Sequence, residues 1–170
     1  MVYTIGHSTR PADEFIRILR AFDIELLADI RTVPRSRKNP QYDRESLSGL
    51  LANHNIDYVH VKELGGLRHA KKDSINSAWE NASFRGYADY MQTDEFVRAV
   101  NELVVRAAER TTAIMCAEAV PWRCHRSLVG DALLVRGVEV LDIMSEKSAK
   151  PHKLTPWARV EGLQITYPIR

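Results

Sequence analysis

The densest chemistry in the chain lies between Cys116 and Arg126, a run reading Cys116-Ala-Glu118-x-x-Pro121-Trp122-Arg123-Cys124-His125-Arg126. It holds two thiols, a carboxylate, an imidazole and two guanidinium groups. Either thiol suits a nucleophile, and Glu118, His125 or the distant His7 suits a general acid or base. Arg123 and Arg126 suit an anion, because a guanidinium fork matches phosphate and carboxylate. Cys124 precedes a helical pattern and sits among Arg123, His125 and Arg126, so it is expected to carry the depressed pKa. The plain reading of Cys116, at a strand end, is a buried structural cysteine. Arg123 and Arg126 have a plain reading too, as partners of Glu118, and Trp122 as packing or a pocket wall.

Positioning these groups requires a strand before them and a helix after. Ala113-Ile114-Met115 is a short apolar run that suits a strand buried on both faces. Leu128, Val129, Ala132, Leu133 and Val135 fall at helical spacing, Gly137 is a helix stop, and Val138 to Ile143 reads as the next strand. The rest of the chain repeats the pattern. Val2 to Ile5 is a strand, and Phe15, Ile18, Leu19 and Phe22 form one helical face. Leu26 to Ile30 is a second strand. Residues 31–42 form a basic loop with Arg31, Arg35, Arg37 and Lys38, a helix spans 43–54, and Tyr58 to Val61 is a third strand. Residues 65–83 are polar and irregular, either a lid or a solvated surface segment. A short helix from Phe84 to Met91 and a longer one from Thr93 or Asp94 to about Arg110 precede the central unit.

Strands alternating with helices predict a single α/β domain. Its sheet is mainly parallel with helices on both faces, a Rossmann-like or flavodoxin-like three-layer sandwich. Residues 1–145 form that domain, and residues 146–170 a C-terminal extension packed on or beside it. Within the extension, 165–169 is expected as an added edge strand, since Pro168 argues against a central position. A parallel sheet presents every strand's carboxyl end on one edge, where ligands bind. His7, then Asp29 and Arg31, then Glu63, Gly65 and Gly66, then Cys116 and Glu118 follow successive strands. With Cys124, His125 and Arg126 they are expected to share one pocket.

The totals bound the class. At 170 residues, 45% hydrophobic and 27% charged, the chain fits one ordinary globular domain. A net charge of +2 does not by itself argue for nucleic acid. No apolar run is long enough to span a membrane, and no signal peptide is visible. Two cysteines make no disulfide framework, so a cytoplasmic protein with reduced thiols is expected.

The run Cys116-Ala-Glu118-x-x-Pro121-x-x-Cys124-His125-Arg126 resembles domain-of-unknown-function family 488. Thr4-Ile5-Gly6-His7-Ser8, Asp29-Ile30-Arg31, Pro34 and Leu64-Gly65-Gly66 are similar to further motifs of that family, in the same order. The resemblance runs from about Tyr3 to Ile143. It implies an α/β domain of prokaryotic type and leaves the chemistry open. Cys116 to Arg123 is superficially similar to the anion cradles of cysteine phosphatases and rhodaneses, but the spacing is one residue longer and the loop has no glycine.

The leading functional expectation is an enzyme acting on an anionic substrate such as a nucleotide, a nucleic acid or another phosphate-bearing molecule. Arg31, Arg35, Arg123 and Arg126 would hold the anion. Two alternatives stand beside it. One is a nucleotide or nucleic-acid binding module using the basic loop and the Arg68–Lys72 segment. The other is a zinc-type site from Cys116, Cys124, His125 and His7, although C-x7-C-H is not a tight chelating spacing. No cofactor and no oligomeric state follow from the residues.

Overall fold

The structure, a computed structural model, describes residues 1–169. Five parallel strands form the body of a six-stranded sheet. They are β1 (Val2–Gly6), β2 (Leu26–Asp29), β3 (Asp57–His60), β4 (Thr112–Cys116) and β5 (Val140–Ser145). Their spatial order is β3-β2-β4-β1-β5, with the antiparallel β6 (Ser148–Pro151) outside β5. Every residue of β2 and β4 is buried. That is why these strands read as unbroken apolar runs rather than alternating ones.

Helices cover both faces. α1 (Ala12–Ala21) and α2 (Arg44–Ala52) lie on one side, α3 (Ala82–Tyr90), α4 (Asp94–Glu109) and α5 (Arg126–Leu134) on the other. α1 buries Phe15, Ile16, Ile18 and Leu19 and carries Asp13 and Glu14 in its first turn, where carboxylates favour the helix dipole. α4 buries Phe96, Val100 and Leu103, and its start is capped by Thr93, whose hydroxyl accepts from the Phe96 N–H at 3.3 Å. Two cores result. One is built on Phe15, Leu27 and Leu47, the other on Tyr87, Val100 and Leu128. The architecture is the expected single α/β domain with a mainly parallel sheet and three layers.

The topology positions the site. From β1 the chain crosses toward β2, and from β4 it crosses the other way toward β5. β1 and β4 are adjacent, with Gly6 opposite Cys116. Their carboxyl ends therefore diverge at a switch point, where a crevice opens.

One expected element is corrected. Residues 165–169 do not add a strand to the main sheet. Instead β7 (Arg159–Glu161) and β8 (Gln164–Thr166) form their own hairpin, and the added edge strand is β6, which returns from β5 over the turn at 146–147. The reason is local. β6 reads Ser-Ala-Lys-Pro, with no apolar period to signal a strand, and its Pro151 sits at the outer edge, where no ladder donor is needed. Ile165 and Tyr167 are nonetheless buried, packed in the core beneath α4 and α5.

Candidate functional site

A cavity of about 390 Å³ opens at this switch point. The buried Cys116 and Cys124 line its inner end, and the exposed Arg35, Glu118 and Arg123 line its outer part. Arg31, Gly66 and His125 complete the polar wall. Leu67 of the irregular 65–83 segment and Phe84 of α3 supply the apolar side, with Ser83 beside them. That segment is anchored: the Asp89 carboxylate accepts from the Lys71 N–H (2.8 Å), the Ser74 hydroxyl (2.5 Å) and the Asn76 amide (2.8 Å).

Arg126 is the side chain on which the site is built. It is fully buried on the first turn of α5. Nη1 donates to Cys116 Sγ at 2.8 Å and to the Glu118 carbonyl, and Nη2 donates to the Ala119 carbonyl at 3.1 Å. Arg126 therefore does not pair with the Glu118 carboxylate; it holds that residue's backbone. Its Nε has no hydrogen-bond partner among the described residues. Gly6 makes this possible. A Cβ at Gly6 would stand 1.7 Å from the Glu118 carbonyl oxygen and 2.8 Å from Arg126 Nη1, so only glycine lets the loop close over the end of β1.

Cys124 donates its S–H to Cys116, with the sulfurs 2.6 Å apart. Burial alone would push the Cys116 thiol up. The hydrogen bond from Cys124 and the charge and hydrogen bond of Arg126 outweigh burial and bring it down to about 7. Cys124 moves the other way, raised by burial and by the Cys116 sulfur beside it. The expectation for the two thiols is thus reversed. Cys124 adjoins the arginines in sequence, but the Arg126 guanidinium reaches across to Cys116.

His125 is held by the Ile30 carbonyl, to which its Nε2 lies 2.9 Å away. A carbonyl only accepts, so Nε2 carries the proton and Nδ1 keeps its lone pair. Nδ1 lies 3.5 Å from Cys124 Sγ. Burial takes the His125 pKa down to about 4, against the pull of the Ile30 carbonyl, so the ring is neutral at pH 7. Gly66 passes directly against it, and a Cβ there would stand 2.6 Å from Nδ1.

The other expected residues are placed as follows. His7 is buried behind the cavity, stacked on Tyr42 with ring centroids 4.2 Å apart. Its Nδ1 donates to the Ser8 carbonyl at 2.8 Å, and its Nε2 faces Arg31 Nη1 at 3.5 Å. Burial lowers its pKa first, with the Arg31 charge acting the same way. Asp29 grips Arg31 through Nε (2.9 Å) and Nη2 (2.7 Å) and also accepts from the Tyr58 hydroxyl (2.6 Å). Arg31 Nη2 donates to the Tyr42 carbonyl as well, so most of its donors are committed within the protein. Glu63 does not join the others. It lines a separate cleft with His60, Glu102 and Arg106. Gly65 packs on Thr32. Trp122 is 66% exposed and lines a smaller cavity of about 280 Å³ with Trp79 and Trp157, on the far side of its loop.

The metal alternative finds no ligand cluster. Among the described residues no three His, Cys, Asp or Glu side chains gather where they could hold a metal ion. Among the described residues no helix is long and apolar enough to cross a membrane.

Sequence reasoning missed Tyr42, Tyr87 and Gly6. Tyr87 packs on the His125 ring with centroids 5.0 Å apart and donates to the Leu64 carbonyl at 2.9 Å. Only Gly6 carried a signal, a glycine at the carboxyl end of a strand.

No curated protein and no solved structure matches the chain. The model of a domain of unknown function, DUF488, matches residues 11–133. That span is most of the chain, and the protein belongs to that family.

Proposed function

We propose that the protein is a cysteine-dependent enzyme in which Cys116 is the nucleophile and the substrate is a small anion-bearing molecule. One observation carries the reading: the fully buried Arg126 guanidinium has no carboxylate partner among the described residues, and its closest polar side chain is the Cys116 sulfur. A buried charge left unpaired is costly, so this cation favours the thiolate as its counter-charge.

Arg35 and Arg123 face the cavity with no side-chain partner among the described residues, which leaves their forks available to phosphate or carboxylate oxygens. Arg31 adds charge rather than donors. The thiolate attacks an electrophilic centre of the bound substrate. As the new bond to sulfur forms, the negative charge leaves Cys116 for the departing group. Glu118 is the carboxylate of the cavity wall and is suited to accept a proton there, while the departing group takes its proton from water. His125, neutral and hydrogen-bonded to the backbone, orients Cys124 rather than exchanging protons with solvent.

The test is a thermal-shift screen of inorganic phosphate, nucleotides and sugar phosphates on wild type and on Arg35→Ala with Arg123→Ala. Ligands that bind the native state raise Tm. The reading predicts a hit that weakens at least about tenfold in the double variant, a loss of about 1.4 kcal/mol, and that slows iodoacetamide labelling of Cys116. Anions that bind equally well to the double variant and leave labelling unchanged would contradict it.

A further inference from the structure

We propose that Cys116 and Cys124 form a dithiol–disulfide couple that reduces a small hydroperoxide, with Cys124 as the resolving thiol. The proposal rests on the reading of Cys116 as a thiolate nucleophile and adds a role for the second sulfur that nucleophilic attack alone does not require.

Three features lead to it. The sulfurs are 2.6 Å apart in the thiol state, so a bond between them needs only a small side-chain movement. The loop joining them is held in that shape: Arg126 binds the carbonyls of Glu118 and Ala119, and a single 3-10 turn covers Pro121–Arg123. Cys124 also has two acceptors within reach, the Cys116 sulfur and the unprotonated Nδ1 of His125 at 3.5 Å. While Cys116 is a thiolate it takes the Cys124 hydrogen bond. Once Cys116 is no longer anionic, His125 Nδ1 is the acceptor that remains. Size selects the oxidant. Cys116 is 2% and Cys124 6% exposed, so a folded protein's disulfide cannot reach them, whereas a small peroxide fits the cavity.

The steps balance. The Cys116 thiolate gives an electron pair to one peroxide oxygen, the O–O bond breaks, and the alkoxide leaves and takes a proton from water. Cys116 is now a sulfenic acid, oxidised by two electrons. Cys124, oriented by His125 Nδ1, attacks the Cys116 sulfur as its proton passes to the sulfenic oxygen. The S–S bond forms, the S–O bond breaks, and hydroxide leaves with that proton as water. The thiolate–thiol pair has lost two electrons and one proton. The hydroperoxide has become an alcohol and, once the hydroxide left in solvent neutralises the proton released when Cys116 ionised, water. A small-molecule dithiol, able to enter the cavity as the peroxide does, returns the pair to the reduced state by thiol–disulfide exchange.

The experiment treats the reduced full chain at pH 7 with one equivalent of hydrogen peroxide, then unfolds it in N-ethylmaleimide and reads intact and peptide masses. The couple predicts a loss of about 2 Da, no maleimide adduct, a peptide joining Cys116 to Cys124, and return of both adducts after dithiothreitol. It predicts that Cys124→Ser stops at a gain of about 16 Da on Cys116, captured by dimedone. A wild-type protein that accumulates sulfenic or sulfinic acid on Cys116 while Cys124 still takes maleimide overturns the couple. So does a disulfide formed only between two chains. If peroxide leaves both thiols free while iodoacetamide still labels Cys116 at pH 7, the couple falls and the nucleophile stands. If iodoacetamide also fails, both fall.

Discussion

Replacing Arg126 tests the origin of the thiolate. Cys116 sits at about 7 against an ordinary value of 9.0. Two units correspond to about 2.7 kcal/mol favouring the ionised sulfur over the thiol. Burial opposes that preference, so the groups that create it must also overcome the cost of desolvation. The hydrogen bond from Cys124 is the largest of these, and Arg126 adds both a charge and a hydrogen bond. In Arg126→Met the burial and the Cys124 hydrogen bond remain and the cation is gone, which raises the Cys116 pKa. A full return to the ordinary value would take the thiolate fraction at pH 7 from about half to about 1%, so alkylation should slow by up to about fifty-fold. Arg126→Lys keeps the charge but cannot span the sulfur and two carbonyls, so it should fall between the two. The assay is iodoacetamide labelling of Cys116 across pH 6 to 10, read by mass spectrometry, with circular dichroism to establish that each variant is folded. A folded Arg126→Met protein whose Cys116 still titrates near 7 would refute the argument.

Three further outcomes follow from other contacts. His152 lies between Asp131 (2.9 Å) and Asp142 (3.5 Å), and although burial works against it, the two carboxylates raise its pKa from 6.5 to about 9. Its contribution is therefore complete below pH 6.5 and lost as pH rises through about 9. Urea unfolding should show a decline on the order of 2 kcal/mol across that window, allowing for partial exposure, and His152→Ala should flatten it. Asp29→Ala leaves the buried Arg31 without its carboxylate, and chemical denaturation should report a loss of about 3–5 kcal/mol. Gly66→Ala drives a methyl against the His125 ring and breaks its bond to the Ile30 carbonyl. It should lower stability by about 1–3 kcal/mol and shift the His125 ring signals in an NMR spectrum, while Gly49→Ala, where the added Cβ meets nothing, should do neither.

The sheet was legible because its strands are buried on both faces and its helices on one. Runs such as Leu26–Asp29 and Thr112–Cys116 carry the first signature, and α1 carries the second. Parallel order then placed His7, Asp29, Cys116 and His125 near one edge without any knowledge of side chains. What adjacency could not supply was direction. Arg126 follows Cys124 by two positions, yet its guanidinium reaches across to Cys116, which adjacency in the sequence does not show. Asp29 and His7 lie behind Arg31, because a buried guanidinium draws its partners inward. Glu63 follows a strand like the others, but β3 is the edge strand and its end turns toward α4. β6 was invisible because a polar edge strand has neither an apolar period nor a buried face.

The most direct measurement is the site-resolved alkylation of the two thiols in the native wild-type protein as a function of pH. The account predicts that Cys116 is labelled with a midpoint near pH 7 and that Cys124 stays unlabelled until well into the alkaline range. Equal labelling of the two cysteines, a midpoint for Cys116 near that of a free thiol, or earlier labelling of Cys124 would contradict it.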